Sequence, residues 1–177
     1  MAILPMIPDW QQIHPLIVHF PIVLLLVAPA FILIGMLRPP ESSAPFFVCA
    51  LLLMAAGTLA GFVAVRTGLA ACAHAHLQPE VSNVLKVHQA LAETTSLTFC
   101  ALTVVFAAIV LIPRLLSGHL SRVLTAVLPA VFLVLYAAGA VLLANTAHMG
   151  GCLVHDFGIT ATHSASKIHD EVTLRDH

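Results

Sequence analysis

Two histidines stand at the start of the first long apolar run of this 177-residue chain, in the sequence Ile13-His14-Pro15-Leu16-Ile17-Val18-His19-Phe20-Pro21. Imidazole is a ligand of haem iron, copper and zinc. Ionisable side chains at membrane depth are costly and usually serve a function. The nonamer therefore points to a bound metal ion or haem.

The composition predicts an integral membrane protein. Apolar residues make up 60% of the chain, charged residues 8%, and the mean hydropathy is +1.02. A helix needs about 20 apolar residues to cross a bilayer, and backbone groups in lipid must be paired within their own segment. Four stretches meet this requirement and are predicted to be helices: about 15–37, 46–70, 88–112 and 122–147.

Short connections between these stretches predict antiparallel neighbours, and so an all-α fold, an integral membrane four-helix antiparallel bundle. We assign residues 1–155 to the transmembrane domain and residues 156–177 to a polar external tail. No Lys or Arg precedes residue 38, so the first run is interpreted as a retained helix rather than a signal peptide. A net charge of −1 provides no basic surface, which argues against nucleic-acid partners.

Positive charge predicts the orientation of the bundle. Arg38, Arg114 and Arg122 lie in the loops after the first and third predicted helices, and such loops stay in the cytoplasm. Both termini then lie on the non-cytoplasmic side. The histidines at helix ends lie on that side too, whereas His119 lies on the other.

His19 on the first helix and His88 at the start of the third can approach the bundle centre from opposite sides, because these helices lie on a diagonal. Two imidazoles flanking a flat apolar slot are what a bis-histidine haem requires. We expect His19 and His88 to be the axial ligands, with His14 and His148 as supporting or substitute ligands. No Cys-x-x-Cys-His is present, so the cofactor would be one non-covalent haem b.

Small residues recur along one face of the second predicted helix. They allow either close helix packing or room for a porphyrin edge. The stripe consists of Gly57, Gly61, Ala64 and Gly68. Arg66 on the same helix is expected to pair with a haem propionate, to pair with Glu93 of the third helix, or to extend to the membrane interface.

The four cysteines differ in their predicted depth. Cys49 and Cys100 lie within apolar helices, where a thiol behaves as a small apolar group. Cys72 and Cys152 lie just past helix ends on the predicted outer side, where oxidising conditions permit a disulfide. A Cys72–Cys152 bridge and two free thiols are both compatible with the sequence.

The stretch His14-Pro15-x-x-Val18-His19-Phe20-Pro21 resembles the signature of a bacterial membrane family, domain of unknown function 2231. His88 with the residues after it is similar to that family's second histidine, and Met149 to His155 to its closing segment. The resemblance covers residues 13–158 and implies a multi-pass, four-helix protein of the bacterial inner (cytoplasmic) membrane that holds haem. It implies no established activity, and the additional His74 and His76 depart from the family pattern.

The favoured interpretation is a b-type haem membrane protein for electron transfer at the periplasmic face, as a subunit or partner of a respiratory or photosynthetic chain. Its partners would be the lipid bilayer, a quinol, and a periplasmic cytochrome, copper protein or larger membrane complex. One alternative is a copper or zinc site, built from His14, His74, His76, His88 and His148. The other is a cofactor-free structural subunit. No nucleophile–base set or phosphate loop is found, so an electron carrier or complex subunit is favoured over an enzyme.

Overall fold

The computed structural model describes residues 13–72, 79–115 and 122–157, and this part of the chain forms helices and no strand. The helices are α1 (His14–Ile17), α2 (His19–Leu37), α3 (Pro40–Cys72), α4 (Pro79–Leu115) and α5 (Arg122–His155). Only Val18 separates α1 from α2, and together they form one span. Four helices are therefore long and apolar enough to cross a membrane, and the predicted all-α membrane fold is confirmed.

Three of the helices extend beyond the apolar runs that predicted them. α3 begins at Pro40 rather than at about residue 46, and α4 begins at Pro79 rather than at about residue 88. Proline suits the first turn of a helix because it has no N–H to leave unpaired there. α5 continues past residue 147 to His155. Apolar runs identify only the part of a helix that lipid surrounds, so polar end turns are missed.

The helices form a closed ring in which α2 packs on α3, α3 on α4, α4 on α5 and α5 on α2. Within the described ranges the diagonal pairs, α2 with α4 and α3 with α5, do not pack on each other. The short α1 packs on α3 and α2. This is the antiparallel arrangement expected from the short connections. The orientation across the membrane stays a prediction, and His74, His76, His119 and the tail beyond Phe157 lie outside the described residues.

Aromatic side chains fill the half of the bundle farthest from His14 and His88. The ring centroids of Phe106 and Phe132 are 4.9 Å apart, and those of Phe99 and Tyr136 are 5.3 Å apart in an edge-to-face contact. Such pairs add stability beyond the apolar area that they bury. The other half of the bundle is open at its centre.

A tyrosine closes a gap in the backbone hydrogen bonding of α2. Pro29 has no N–H, so the carbonyl of Leu25 lacks its usual partner one turn later. The Tyr136 hydroxyl donates to that carbonyl at 2.6 Å. Since an unpaired carbonyl in a lipid-embedded helix is costly, this contact ties α5 to α2 at the bundle centre.

The two halves of the bundle repeat one pattern of buried positions. On α2, Leu25, Ala28 and Ile32 are buried at the spacing of Phe99, Leu102 and Phe106 on α4. On α3, Ala50, Met54 and Gly57 are buried at the spacing of Phe132, Tyr136 and Gly139 on α5. α2 and α4 run in the same direction on one diagonal of the bundle, and α3 and α5 do so on the other. The α2–α3 half is therefore related to the α4–α5 half by an approximate two-fold axis along the bundle.

Candidate functional site

A cavity of about 510 Å³ opens between the helices at the end where α1 begins and where α3 and α5 end. Its volume lies within the range of roughly 300–1,000 Å³ that is typical of small-molecule sites. Leu25 of α2 and Phe99 of α4 line it beside the aromatic core, and most of its walls are apolar or small residues. Its histidines are His14, His19, His88 and His155.

His14 is held in one orientation by α3. Its Nδ1 lies 3.0 Å from Oγ1 of Thr67, and that hydroxyl donates its proton to the carbonyl of Ala64 at 3.0 Å. Because the hydroxyl proton is already used, Nδ1 of His14 is the donor to Oγ1. A neutral imidazole that donates through Nδ1 has its lone pair on Nε2. His14 is therefore positioned as a ligand or acceptor through Nε2.

Each of two cavity histidines lies against a glycine of a neighbouring helix. A Cβ added at Gly68 of α3 would be 2.9 Å from Cε1 of His14. A Cβ added at Gly150 of α5 would be 3.0 Å from Cε1 of His88. Any larger residue at either position would displace the imidazole. The two glycines therefore set how closely each ring can approach the helix behind it.

His88 of α4 has a buried nitrogen with no partner. Its Nδ1 is shielded from solvent and forms no hydrogen bond with the described residues, although the Thr146 carbonyl lies near the ring. Leaving a buried polar group unpaired costs about 1–3 kcal/mol. Because Nδ1 of His88 is shielded from solvent, it does not face the cavity.

His19 lies nearer the surface than the other two. Its side chain is exposed, yet it lines the cavity, and its Nδ1 donates to the Pro15 carbonyl at 2.8 Å. Its lone pair is therefore on Nε2, as in His14. The predicted ligands His19 and His88 thus line one cavity, together with His14, the partly buried imidazole that was predicted as a supporting or substitute ligand.

Two predicted site residues lie away from the cavity. Arg66 of α3 and His148 of α5 are exposed, and neither is among the residues that line it. Nε2 of His148 lies 3.8 Å from the Sγ of Cys152, one turn along the same helix. Glu93 lines the cavity but is exposed, and no ion pair joins it to Arg66 in the described part of the chain.

The small-residue stripe of α3 lines the cavity along its whole length. Part of the space is already used for packing, because a Cβ at Gly57 would be 2.8 Å from Cγ of Leu25. Gly68 makes room for the ring of His14. All four cysteines are free thiols, so the structure contains no Cys72–Cys152 bridge, and Cys72 contributes to the cavity wall.

A haem would require fewer ligands from the protein than a bare metal ion would. Within the described ranges, no group of three or more His, Cys, Asp or Glu side chains is close enough to hold an ion. A porphyrin supplies four nitrogens itself, so the protein needs to add only one or two axial ligands. The described residues place two partly buried imidazoles, those of His14 and His88, in one largely apolar cavity.

Sequence reasoning missed Thr67 and Gly150, although the sequence contains a signal for the second of them. Residues 51–57 read Leu-Leu-Leu-Met-Ala-Ala-Gly and residues 133–139 read Leu-Val-Leu-Tyr-Ala-Ala-Gly. Each heptapeptide is followed, eleven residues after its glycine, by a second glycine, Gly68 and Gly150 respectively. This internal repeat aligns α3 with α5 and marks both glycines that contact the imidazoles.

Comparison with known proteins identifies one family. The family described as predicted membrane protein (DUF2231) matches residues 11–163, which include all of the described helices and every histidine of the cavity. No curated protein and no solved structure matches the chain.

Proposed function

Because this chain belongs to the predicted membrane protein family DUF2231, its cavity lies within a lipid-embedded bundle, and we propose that the cavity binds one haem b for electron transfer. His88 would be one axial ligand, and His14 or His19 the other. Haem supplies one-electron redox chemistry when it is bound. On the orientation predicted from the arginines, the cavity is at the periplasmic face of a bacterial inner membrane.

The observation that carries this proposal is the pair of partly buried imidazoles of His14 and His88 in one cavity. His14 is on α1, which continues into α2, and His88 is on α4. Because α2 and α4 occupy one diagonal of the bundle, each half of the bundle would contribute one residue to hold the haem. The apolar lining, which includes Leu25 and Phe99, suits a macrocycle that is itself largely apolar. It also keeps water from the ligand nitrogens.

The remaining polar groups of the cavity support a quinol as electron donor. His19 and Glu93 both line the cavity while staying exposed, so they lie where a lipid-soluble donor could reach them. A quinol loses a proton with each electron, and Nε2 of His19 has a lone pair to accept that proton. The electron acceptor would be a periplasmic cytochrome, a copper protein or a larger respiratory or photosynthetic complex.

The other two candidate functions are outcomes of the same test. A copper or zinc site has no support in the described ranges, because no group of three ligands is found there. Its additional predicted ligands, His74 and His76, lie outside the described residues. A cofactor-free structural subunit would leave the largely apolar cavity that His14 and His88 line without an occupant.

The experiment is a reduced-minus-oxidised spectrum of the detergent-purified protein, with a pyridine haemochrome assay and metal analysis on the same sample. About one haem b per chain is expected. A colourless protein that contains stoichiometric copper or zinc would replace haem with a bare ion. A colourless, metal-free protein that also fails to bind added haemin would contradict the proposal and leave the structural subunit.

A further inference from the structure

The approximate two-fold axis of the bundle passes through the cavity and pairs its residues. When the buried positions of α2 are matched to those of α4, His14 corresponds to His88 and Leu25 corresponds to Phe99. When the buried positions of α3 are matched to those of α5, Gly68 corresponds to Gly150. Thus each half contributes one imidazole, one supporting glycine and one large apolar residue beside the core.

The contacts are equivalent in geometry as well as in position. The atom nearest to an added Cβ is Cε1 of the imidazole in both halves, at 2.9 Å for Gly68 and 3.0 Å for Gly150. Both rings therefore rest on the neighbouring helix by the same edge. Independent packing would have no reason to place two histidines against two glycines in the same manner.

His19 has no such counterpart. The position that corresponds to it on α4 is Glu93, and both side chains are exposed. His19 also bonds to the Pro15 carbonyl of its own chain segment rather than to a neighbouring helix. It is therefore outside the symmetric arrangement.

The two equivalent imidazoles differ in one respect. Thr67 anchors Nδ1 of His14, but the corresponding residue of α5 is Met149, which has no hydroxyl, and Nδ1 of His88 is orphaned. One ring is thus fixed by the protein, whereas the other has an unsatisfied nitrogen. A ligand bound between them would meet a ring held by a hydrogen bond on one side and a ring that packs against Gly150 on the other.

We infer that the two axial ligands are His14 and His88, a quasi-symmetric pair contributed by the two halves of the bundle, and that His19 is not an axial ligand. This inference rests on the proposed function, because it assigns the residues that hold the proposed haem. Gly68 and Gly150 are positioning residues in this arrangement, since they determine where the two rings lie.

The test is reconstitution of the full-length protein in detergent with haemin, followed by the optical spectrum of each variant. Wild type and His19→Ala should both give the low-spin spectrum of two nitrogen ligands. His14→Ala and His88→Ala should each give a high-spin spectrum of one remaining ligand, and added imidazole should restore the low-spin form. A merely structural role for either histidine would not be rescued by imidazole.

Two outcomes distinguish an error in the ligand pair from an error in the proposed haem binding. If His19→Ala loses the low-spin spectrum while His14→Ala keeps it, the ligand pair is wrong although haem binding stands. If wild type binds no haemin, both the proposed function and the ligand pair fall.

Glycine variants test the same pair without removing a ligand. Gly68→Ala and Gly150→Ala should each weaken haemin binding by about 10-fold or more, because disturbing a group that orients a metal ligand typically costs that much in affinity. Gly151→Ala is the matched control, since a Cβ there meets no atom within 4 Å. Equal haemin affinity in Gly68→Ala, Gly150→Ala and Gly151→Ala would show that Gly68 and Gly150 do not position the two imidazoles.

Discussion

Nδ1 of His14 on α1 lies 3.0 Å from Oγ1 of Thr67 on α3, and this contact connects the start of the first span to the second span. The Thr67 hydroxyl donates onward to the Ala64 carbonyl, so it can only accept from the imidazole. The contact fixes both the orientation of the ring and the nitrogen that carries the lone pair.

Replacing Thr67 with valine should therefore weaken haemin binding, although both ligand histidines remain in the protein. Valine keeps the shape of threonine but cannot accept a hydrogen bond from Nδ1. We expect affinity to fall by about 10–100-fold, the usual effect of losing a group that orients a metal ligand. Haemin titration measures it, with Thr94→Val as the control, because Thr94 is exposed and bonds only within α4. Equal haemin affinities for Thr67→Val and Thr94→Val would show that Thr67 does not orient His14.

Introducing threonine at Met149 should have the opposite effect. It places a hydroxyl at the position on α5 that corresponds to Thr67, as a partner for the unpaired Nδ1 of His88. We expect slower loss of haem from Met149→Thr than from wild type, measured by transfer to an excess of a haem-scavenging protein. Met149→Val controls for side-chain volume. Equally slow loss from the valine variant would show that the hydroxyl is not responsible.

Tyr136→Phe should destabilise the bundle. It removes the donor to the Leu25 carbonyl, and Pro29 provides no backbone N–H in its place. An orphaned buried carbonyl costs about 1–3 kcal/mol in the free energy of unfolding. Unfolding by sodium dodecyl sulfate in mixed micelles measures the change.

A second substitution tests the cause of that loss. In the Tyr136→Phe background, Pro29→Ala restores an N–H one turn after Leu25, so part of the lost stability should return. No recovery in the double variant, or no loss in the single one, would show that the Leu25 carbonyl does not depend on Tyr136.

Gly57→Ala should destabilise the contact between α2 and α3. The new Cβ would lie 2.8 Å from Cγ of Leu25 and 3.2 Å from Cβ of Leu24, so carbons close to the α2 backbone would have to shift. Overpacking of this kind costs about 1–3 kcal/mol. Gly61→Ala is the control on the same helix, because its Cβ would meet Oγ of Ser96 at 3.4 Å and nothing nearer. Equal unfolding midpoints for both variants would argue against close packing at Gly57.

An alkaline phosphatase fusion after His177 tests the predicted orientation. The arginines of the loops after α2 and α4 predict that both termini lie outside the cytoplasm, where the phosphatase is active. A fusion that is expressed but inactive would reverse the orientation and move the cavity to the cytoplasmic face.

The fold could be predicted because hydropathy and length determine it almost completely. Residues in lipid must form helices, and short connections force neighbouring helices to be antiparallel. The polar turns from Pro40 and from Pro79 were not predicted, since apolar runs do not extend into them. The internal two-fold repeat was also missed, because most equivalent positions differ in chemistry, as Met54 and Tyr136 do.

The site was predicted only in part. His19 and His88 were identified by residue type and depth, and both line the cavity. Arg66 and His148 were selected in the same way, but hydropathy does not reveal which face of a helix points inward, and both are exposed. They occupy equivalent positions on α3 and α5. The contact of Thr67 with His14 joins residues far apart in sequence, so spacing alone could not indicate it.

The most direct test of whether His14 and His88 hold a haem is the low-temperature electron paramagnetic resonance spectrum of the oxidised, full-length protein purified with its native cofactor. Two imidazoles from His14 and His88 on ferric haem predict a low-spin signal that accounts for the haem present. His19→Ala should leave this signal in place. A purely high-spin signal, or the absence of any haem signal, would contradict a haem held between the two halves of the bundle.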